Sequence, residues 1–355
     1  GPGERPAQEG RAEKGVSMKN VKKWLGLFMC GLLAVVCVAG LSACGGSDDS
    51  GSGDSGTEGG GSGKKVAMIL DGPVNDGGWG ASCYDAMVQA AKDHGWETAY
   101  TENVAQADWT TTMQDYVDQG YDLVIAPGNQ YTASVEDCAK SNPDAKFCIF
   151  NDEVSDYDNI ECTMPDTVQI GQIAGIMAGL TSKTNNIGFI GAMELDTTLN
   201  KIKGYTEAAQ KINPDIKVTT AYSNSFSDAA KGKELATTMI NSNNVDVMFG
   251  DASIVDTGAR EALKEAGAGH FDIGQPGDIT DTDPELILVS VVTDNVKMTN
   301  EVMDDVESGS FGKKTIKGDL SNGGVYAGAV SDKIVDADTK AKFEEYVAQL
   351  KDGKF

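Results

Sequence analysis

A loop of nine residues carries the densest group of potential ligand-binding side chains in this chain. It reads Asp71-Gly72-Pro73-Val74-Asn75-Asp76-Gly77-Gly78-Trp79 and follows a buried apolar strand at 66–70. Its glycines allow the backbone to approach a ligand, and Trp79 offers a flat aromatic face. Asn75 and Asp76 add groups that can hydrogen-bond to a polar ligand. The alternative is a structural turn in which Trp79 covers the core.

The sequence gives little support for catalysis. It contains no G-x-S-x-G elbow and no P-loop, and the glycines of the first loop lack the G-x-G-x-x-G spacing of a dinucleotide site. Asp152, Asp251 and Asp278 each follow a predicted strand, where a carboxylate pair could exchange protons. Such residues more often bind a polar ligand or cap a helix. We therefore predict a binding protein with no cofactor, and not an enzyme.

The cysteines and histidines do not form a recognisable metal motif. The chain has seven cysteines, of which Cys30 and Cys37 lie in an N-terminal apolar segment. The four that follow Cys44 allow zero, one or two disulfides in an exported protein, and they are Cys83, Cys138, Cys148 and Cys162. Only His94 and His270 could add imidazole ligands. We predict no metal site.

The N-terminal region has the pattern of an export signal with a lipid-accepting cysteine. Met18 is the expected start, lysines follow it, and an apolar run ends in Leu41-Ser42-Ala43-Cys44. We therefore expect upstream residues at 1–17, a signal peptide at 18–43, and a lipidated Cys44 that anchors the protein on the extracytoplasmic face of the cell membrane. The alternative is a plain transmembrane anchor, because the apolar run is long enough to span a bilayer.

Composition limits both the tether and the partners. Residues 45–63 consist mainly of Gly, Ser and Asp, so 44–64 is interpreted as the lipidated cysteine followed by a flexible tether. The formal charge is −25 at pH 7, which would repel a phosphate backbone. Nucleic acid is therefore excluded as a partner.

From residue 65 onward, β-rich runs alternate with helical stretches, and the pattern restarts near residue 187. This alternation predicts two α/β lobes, each a doubly wound parallel sheet. We assign 65–163 plus about 290–312 to the first lobe and 164–289 plus about 313–355 to the second. Ligands of such sheets bind at the carboxyl ends of the strands. The loops expected there are 71–79, 127–131, 151–157, 191–196, 224–226, 250–253 and 275–280.

Three glycines recur at four-residue spacing in the helix predicted near 166–181, at Gly171, Gly175 and Gly179. In an apolar span this pattern would favour helix dimerisation in a membrane. The segment is too short to span and contains two glutamines. We therefore expect the glycines to allow close packing against the sheet.

Several short sequence motifs, taken in their order along the chain, give a specific resemblance to a known family. They include Val74-Asn75-Asp76-Gly77-Gly78-Trp79, Gly120-Tyr121-Asp122-Leu123-Val124-Ile125, Ile187-Gly188-Phe189-Ile190-Gly191-Ala192-Met193 and Ser225-Phe226-Ser227-Asp228-Ala229-Ala230-Lys231-Gly232. From Lys65 to the C-terminus the chain resembles the basic membrane protein family of ABC-transporter substrate-binding lipoproteins, the group that includes the purine nucleoside receptor. The resemblance implies a type I periplasmic-binding-protein fold, in which two lobes joined by crossover strands close on a small-molecule ligand and present it to the permease subunits of an ABC importer. A monomer is expected.

The resemblance also implies a ligand slot. Family members near the nucleoside receptor hold a flat base between two aromatic rings, whose positions match Trp79 and Phe226. Asn75, Asp76 or Asp152 would then hydrogen-bond to ring nitrogens. The remaining candidate ligand-binding residues lie in strand-end loops, namely Asn129, Tyr131, Met193, Asp251 and Asp278.

Two departures from the family concern the sugar half of the slot. Where the family usually has an aspartate that grips ribose, this chain has Gln275-Pro276, and where it commonly has a lysine, this chain has Thr293-Asp294. The expected ligand is a purine nucleoside, a nucleobase or a related heteroaromatic such as a flavin. A receptor of the same fold for a sugar or another small metabolite is the nearest alternative, and a signalling receptor is another.

Overall fold

The computed structural model describes residues 63–153 and 156–355. The predicted signal peptide, the lipidated Cys44 and nearly all of the tether lie outside these residues. Within them, no helix combines the length and the apolar character needed to cross a bilayer.

Twelve strands occur in this part of the chain, and most of them are short and buried. They are β1 (Lys65–Ile69), β2 (Glu97–Thr101), β3 (Leu123–Ala126), β4 (Phe147–Phe150), β5 (Ile160–Pro165), β6 (Asn186–Gly191), β7 (Lys217–Tyr222), β8 (Val247–Asp251), β9 (Phe271–Gly274), β10 (Ile287–Thr293), β11 (Lys314–Gly318) and β12 (Val325–Ala327). Strands β11 and β12 were not predicted from the sequence.

Nine α-helices accompany these strands in the described residues. They are α1 (Trp79–His94), α2 (Trp109–Asp118), α3 (Thr132–Ser141), α4 (Thr167–Thr181), α5 (Asp196–Ile212), α6 (Ala229–Asn243), α7 (Ile254–Ala266), α8 (Asn295–Ser308) and α9 (Ala337–Lys351).

The strands form two six-stranded sheets, which confirms the predicted two-lobed α/β fold. The first sheet has the order β11-β5-β4-β3-β1-β2, and the second has the order β12-β10-β9-β8-β6-β7. All the strand pairs are parallel except that of β10 with β12. Apolar clusters cover both faces of each sheet, with α1 and α8 opposite α2 and α3 in the first lobe, and α4, α5 and α9 opposite α6 and α7 in the second.

The chain crosses between the lobes three times, and the strand pairing moves the expected boundaries. The crossings follow β5, β10 and β11. Strand β10 stays in the second sheet up to Thr293, and β11 pairs with β5 of the first sheet. The expected assignment of residues 290–293 to the first lobe and of 313–318 to the second is therefore wrong, because pairing partners distant in sequence decide the sheet to which a strand belongs.

Backbone hydrogen bonds tie the three crossings together. Asp166 N donates to Gly318 O at 2.7 Å, and Asp294 N donates to Gly324 O at 2.9 Å. Each aspartate also caps the helix that follows, since Asp166 Oδ1 accepts from Gln169 N and Asp294 Oδ1 accepts from Lys297 N, both at 2.9 Å. Helices α4 and α8 are therefore fixed at the point where the chain enters each lobe.

Three of the four cysteines in this region, Cys83, Cys138 and Cys148, are buried thiols, and burial raises the pKa of each. A raised pKa keeps the thiol protonated and unreactive at neutral pH.

The glycines of α4 pack against a helix and not against the sheet. A Cβ at Gly171 would collide with Lys201 O, one at Gly175 with Tyr205 O, and one at Gly179 would lie 2.9 Å from Ala209 O. All three oxygens belong to α5. The expectation of packing against the sheet is therefore wrong, and the glycines instead allow the backbones of α4 and α5 to touch.

We predict that Gly175→Ala destabilises the second lobe. Alanine is the better helix former by about 1 kcal/mol, so without the contact the substitution would stabilise the protein. Overpacking against Tyr205 O should reverse the sign and cost about 1–3 kcal/mol. Denaturant unfolding measures the change. Glu207→Ala on the exposed face of α5 is the control, expected within about 0.5 kcal/mol of wild type. An unchanged or increased stability of Gly175→Ala would contradict the backbone contact.

Candidate ligand-binding site

A cavity of about 260 Å³ lies between the two lobes. Loops that leave the carboxyl ends of β1, β3 and β4 form the wall contributed by the first lobe. Loops after β6, β7, β8 and β9, with the first turns of α5 and α7, form the wall contributed by the second. This is the position that the topology of two parallel sheets predicts for a ligand.

Trp79 lies at the start of α1 and lines the cavity. Its indole Nε1 donates to Pro127 O at 2.6 Å, which ties the loop after β1 to the loop after β3. The partly buried ring also packs against the apolar cluster beneath α1. Trp79 therefore both packs against the core and lines the cavity, and its contact with a ligand stays a prediction.

Phe226 lies on the opposite side of the same cavity, in the loop after β7. Its ring is partly buried against the apolar cluster of the second lobe that underlies α6 and α7. The two aromatic residues singled out from the sequence are thus brought together from different lobes.

The polar residues of the first loop are separated by the fold. Asp76 lines the cavity, but its carboxylate accepts the backbone N–H groups of Gly78 at 2.8 Å, Gly80 at 3.0 Å and Ala81 at 2.9 Å. It therefore anchors the start of α1. Asn75 is exposed and does not line the cavity.

Of the other predicted site residues, Asn129 and Asp251 line the cavity. The other four do not line it, and they are Tyr131, Asp152, Met193 and Asp278. Tyr131 is fully buried, and its hydroxyl accepts from Asp71 N at 2.8 Å. Met193 is an exposed residue in the turn after β6. Asp278 accepts from Thr280 N and from Ala329 N, both at 3.2 Å, and so joins two loops.

Asp152 also lies outside the cavity wall. The hydroxyl of Thr132 donates to its carboxylate, and burial raises its pKa above the ordinary range for aspartate. Its neighbour Asn151 does line the cavity, in a left-handed conformation with φ of 59°, and the buried Oδ1 atom of Asn151 has no hydrogen-bond partner among the described residues.

A hydrogen-bonded polar network on the cavity wall includes Lys201, which was not predicted from the sequence. Lys201, on α5, is 5% exposed, and its ammonium donates to Asp251 Oδ1 at 2.6 Å and to Gln275 Oε1 at 3.1 Å. The hydroxyl of Thr198 donates to Asp251 Oδ2 at 2.7 Å. Four residues from three elements therefore form one network on the wall of the second lobe, and all four line the cavity.

A second charged group lies beside this network. Asp256 Oδ2 accepts from Ala252 N at 3.0 Å, while its buried Oδ1 has no partner within the described part of the chain, and burial raises the pKa of Asp256 to about 7. Arg260 donates to Asp272 at 3.3 Å, and burial raises the pKa of Asp272 to about 6 despite the arginine. Asp256 and Arg260 both line the cavity.

One sequence signal could have identified Lys201. Thr197, Thr198, Lys201, Gly204 and Tyr205 are the buried residues of the first half of α5. A lysine within the buried stripe of an amphipathic helix requires a partner, so this position was a candidate for a site residue. Asp251, the partner of Lys201, was predicted as a site residue because it follows a predicted strand.

The lobes meet directly at the edge of the cavity. Trp79 N lies 3.4 Å from Ser253 Oγ, and a Cβ at Gly78 would lie 2.9 Å from Ser253 Cα. Ser253 has φ of 52°, an uncommon conformation for a residue other than glycine. The described arrangement is therefore a closed one, in which only a hydrogen atom at position 78 fits against the facing loop.

Among the described residues, one group of side chains could ligate a metal ion, and it lies away from the cavity. His94 Nδ1 is 3.2 Å from Glu307, and His94 Nε2 is 3.8 Å from Asp304. Because the two carboxylates approach different ring nitrogens, the geometry suits ion pairing of an imidazolium better than coordination of a single ion.

The fold and the cavity define a two-lobed solute-binding protein. The family of PnrA-like ABC transporter substrate-binding proteins matches residues 63–351. The chain therefore belongs to that family.

Two relatives match nearly the whole chain. This chain is 30% identical over 338 residues to the ABC transporter nucleoside-binding protein BmpA of Lactococcus lactis subsp. cremoris. The aligned region covers 87% of this chain and 93% of that protein. The chain is 29% identical to the CD4+ T-cell-stimulating antigen of Listeria monocytogenes, covering 88% of this chain and 92% of that protein.

Solved structures support the fold. An ABC transporter solute-binding protein from Aeropyrum pernix K1 superposes with a TM-score of 0.74 at 20% identity, covering 82% of this chain and 92% of that one. A solute-binding protein from Conexibacter woesei gives a TM-score of 0.67 at 20% identity, covering 82% and 97%.

We predict that Gly78→Ala opposes closure. The added methyl group would meet the backbone of Ser253, so the closed form should lose about 1–3 kcal/mol, which is roughly a fivefold to hundredfold loss of affinity for a ligand that requires closure. Titration calorimetry with inosine measures the affinity, and thermal unfolding of the empty protein should be unchanged. Gly72→Ala is the matched control, because it lies in the same loop and nothing lies within 4 Å of its added Cβ. Equal affinity of the two variants would contradict the contact.

Proposed function

We propose that this protein is the extracytoplasmic receptor of an ABC importer and binds a purine nucleoside, a nucleobase or a related heteroaromatic between its lobes. The observation that carries the proposal is the presence of Trp79 and Phe226 on one cavity, from opposite lobes. Two such faces hold a planar ring at low conformational cost. The printed name of the Lactococcus lactis relative, a nucleoside-binding protein, supports the same ligand class.

The charge of the cavity wall favours an uncharged ligand. Its acidic residues outnumber its basic ones, since Lys201 and Arg260 face four aspartates, Asp71, Asp76, Asp251 and Asp256. A phosphate group would meet this excess of negative charge in an enclosed cleft. Nucleosides should therefore bind and nucleotides should be rejected. The volume of about 260 Å³ lies just below the range of about 300–1,000 Å³ for small-molecule pockets, which suits a single small metabolite.

The proposed role is binding without catalysis. Each cavity carboxylate with a partner is used to hold the protein together, since Asp76 anchors a helix and Asp251 is paired with Lys201. A sugar receptor is the second candidate, because a carboxylate and an ammonium beside an aromatic ring also suit a pyranose.

We propose further that Cys44 is lipidated and holds a monomeric receptor on the extracytoplasmic face of the cell membrane, beside its permease subunits. In cells expressing Cys44→Ala, the receptor should be recovered as unprocessed precursor or released protein. Membrane fractionation and the mass of the mature N-terminus test this, with Cys83→Ala as the matched control. A processed Cys44→Ala protein that remains in the membrane fraction would contradict lipid anchoring.

The aromatic slot is tested by removing each ring. Trp79→Ala and Phe226→Ala should each weaken binding of the best purine ligand by about 1–3 kcal/mol, the scale of base–aromatic stacking, or roughly tenfold to hundredfold in affinity. Trp79→Phe keeps an aromatic face but loses the bond to Pro127 O, so it should retain more affinity than Trp79→Ala.

Calorimetry with inosine, guanosine, adenosine, hypoxanthine, riboflavin, ribose and glucose identifies the ligand class. Binding of glucose or ribose with no purine response would favour the sugar receptor. Wild-type affinity in both alanine variants would reject the slot.

A further inference from the structure

The two walls of the cavity differ in chemistry, because the charged residues of the first lobe, Asp71 and Asp76, are both acidic, whereas the second lobe contributes charges of both signs. Lys201 and Asp251 lie 2.6 Å apart there, with 6% and 20% of their side chains exposed. Gln275 and Thr198 orient them through the hydrogen bonds described above. Since all four residues line the cavity, the pair is both preorganised and accessible to a ligand.

The hydrogen-bonding capacity of this pair is not filled. An ammonium group has three protons, and among the described residues Lys201 gives one to Asp251 and one to Gln275. One N–H remains for a ligand. Asp251 Oδ2 accepts the hydroxyl of Thr198, and a carboxylate oxygen can accept a second bond. A donor and an acceptor therefore stand side by side on the cavity wall.

We propose that Lys201 and Asp251 form a hydroxyl-binding subsite that takes two neighbouring hydroxyl groups of the ligand's sugar. The lysine donates to one hydroxyl oxygen, and the aspartate accepts the proton of the next. This assignment rests on the proposed nucleoside receptor function and specifies which part of the ligand the second lobe recognises.

The chemistry of the pair disfavours other ligand groups. A carboxylate on the ligand would bind Lys201 but meet Asp251 and Asp76, whereas an ammonium group would meet Lys201. A carbonyl group can accept from the lysine but leaves the aspartate without a donor. A ligand that both donates and accepts fills the pair, and a vicinal diol does so when one hydroxyl oxygen accepts from Lys201 and the neighbouring hydroxyl donates to Asp251.

The subsite differs from the one that the family resemblance implies. At the position of the family's aspartate this chain has Pro276, and Asp294, next to the position of the family's lysine, caps α8. Lys201 and Asp251 instead supply a cation and a carboxylate from α5 and β8. The pair would thereby restore a charged grip on the sugar from different positions of the fold.

The alternative is a purely structural ion pair that joins α5 to β8. A structural pair would change the stability of the protein but would lower the affinity for ligands with and without hydroxyl groups equally. The hydroxyl-binding subsite predicts instead that the loss depends on the hydroxyls. The two possibilities are therefore separated by how much the effect of the Lys201 substitution on affinity depends on the hydroxyl groups of the ligand.

The experiment uses the full chain and the tightest binder among inosine, guanosine and adenosine, together with its 2′,3′-dideoxy analogue. Wild type should bind the ribonucleoside roughly tenfold to hundredfold more tightly than the analogue, because hydrogen bonds to charged groups are worth about 1.5–3 kcal/mol. Lys201→Met should lose that preference while binding the analogue nearly as well as wild type does. Lys203→Met, exposed on the same helix, should behave as wild type.

A second variant covers the case in which Lys201→Met leaves Asp251 unpaired and unfolds the protein. Lys201→Met combined with Asp251→Asn removes both charges and should also lose the preference. Equal affinity of wild type for the ribonucleoside and its analogue would overturn the subsite while leaving the nucleoside receptor intact. A preference retained in the double variant would likewise overturn the subsite. Failure of wild type to bind any of the nucleosides would overturn the proposed function, and the subsite with it.

Discussion

The direction of the strands determines where a ligand-binding cleft can form in this protein. In both sheets the central strands run parallel, so all their carboxyl ends open at one edge, and the two edges face each other across the cleft. Glycine-rich and polar loops are concentrated at these edges, whereas the central strands are almost entirely buried and the edge strands β2 and β7 are partly exposed. The sheets therefore supply a rigid frame, and the strand ends, the connections that follow them and the first turns of α5 and α7 supply the side chains of the cavity.

Within the second lobe, the close approach of α4 and α5 sets the position of the charged wall. Gly171 contacts the backbone of Lys201 itself, so the helix that carries the lysine is held at its first turns by backbone contact. A lysine is long and flexible, and its ammonium can be positioned only if the stem and the helix beneath it are fixed. The pairing with Asp251 and Gln275 completes that positioning, and it also neutralises a cation that would be costly to bury alone.

Much of the fold could be predicted because its signal is local. Buried runs such as Val66–Leu70 and the helix that follows Trp79 differ in periodicity, and their alternation indicates a parallel sheet. Strands β11 and β12 were missed because they are short, and one of them, Lys314–Gly318, carries two lysines and a glycine. Their place in the sheets depends on partners far away in sequence, which no local pattern records.

Only some of the residues that line the cavity were predicted from the sequence. Trp79 was identified because it ends the glycine-rich loop after the first strand, and the family resemblance paired it with Phe226. Tyr131 and Asp278 were candidates because they lie in loops that follow predicted strands. In the structure, the hydroxyl of Tyr131 and the carboxylate of Asp278 instead accept hydrogen bonds from backbone N–H groups. Lys201 was missed because its role depends on Asp251, 50 residues away, and such a pairing exists only in the folded chain.

The backbone hydrogen bonds that join the three crossings have a mechanical consequence. Three tethers that lie side by side and are bonded to one another resist sliding and twisting of one lobe against the other, yet they still allow bending about a common axis. Because aspartates cap α4 and α8 at the crossings, the bending is confined to the few peptide units outside those helices. The two lobes are therefore joined by a hinge with few degrees of freedom, so the opening and closing of the cleft should follow a single bending motion.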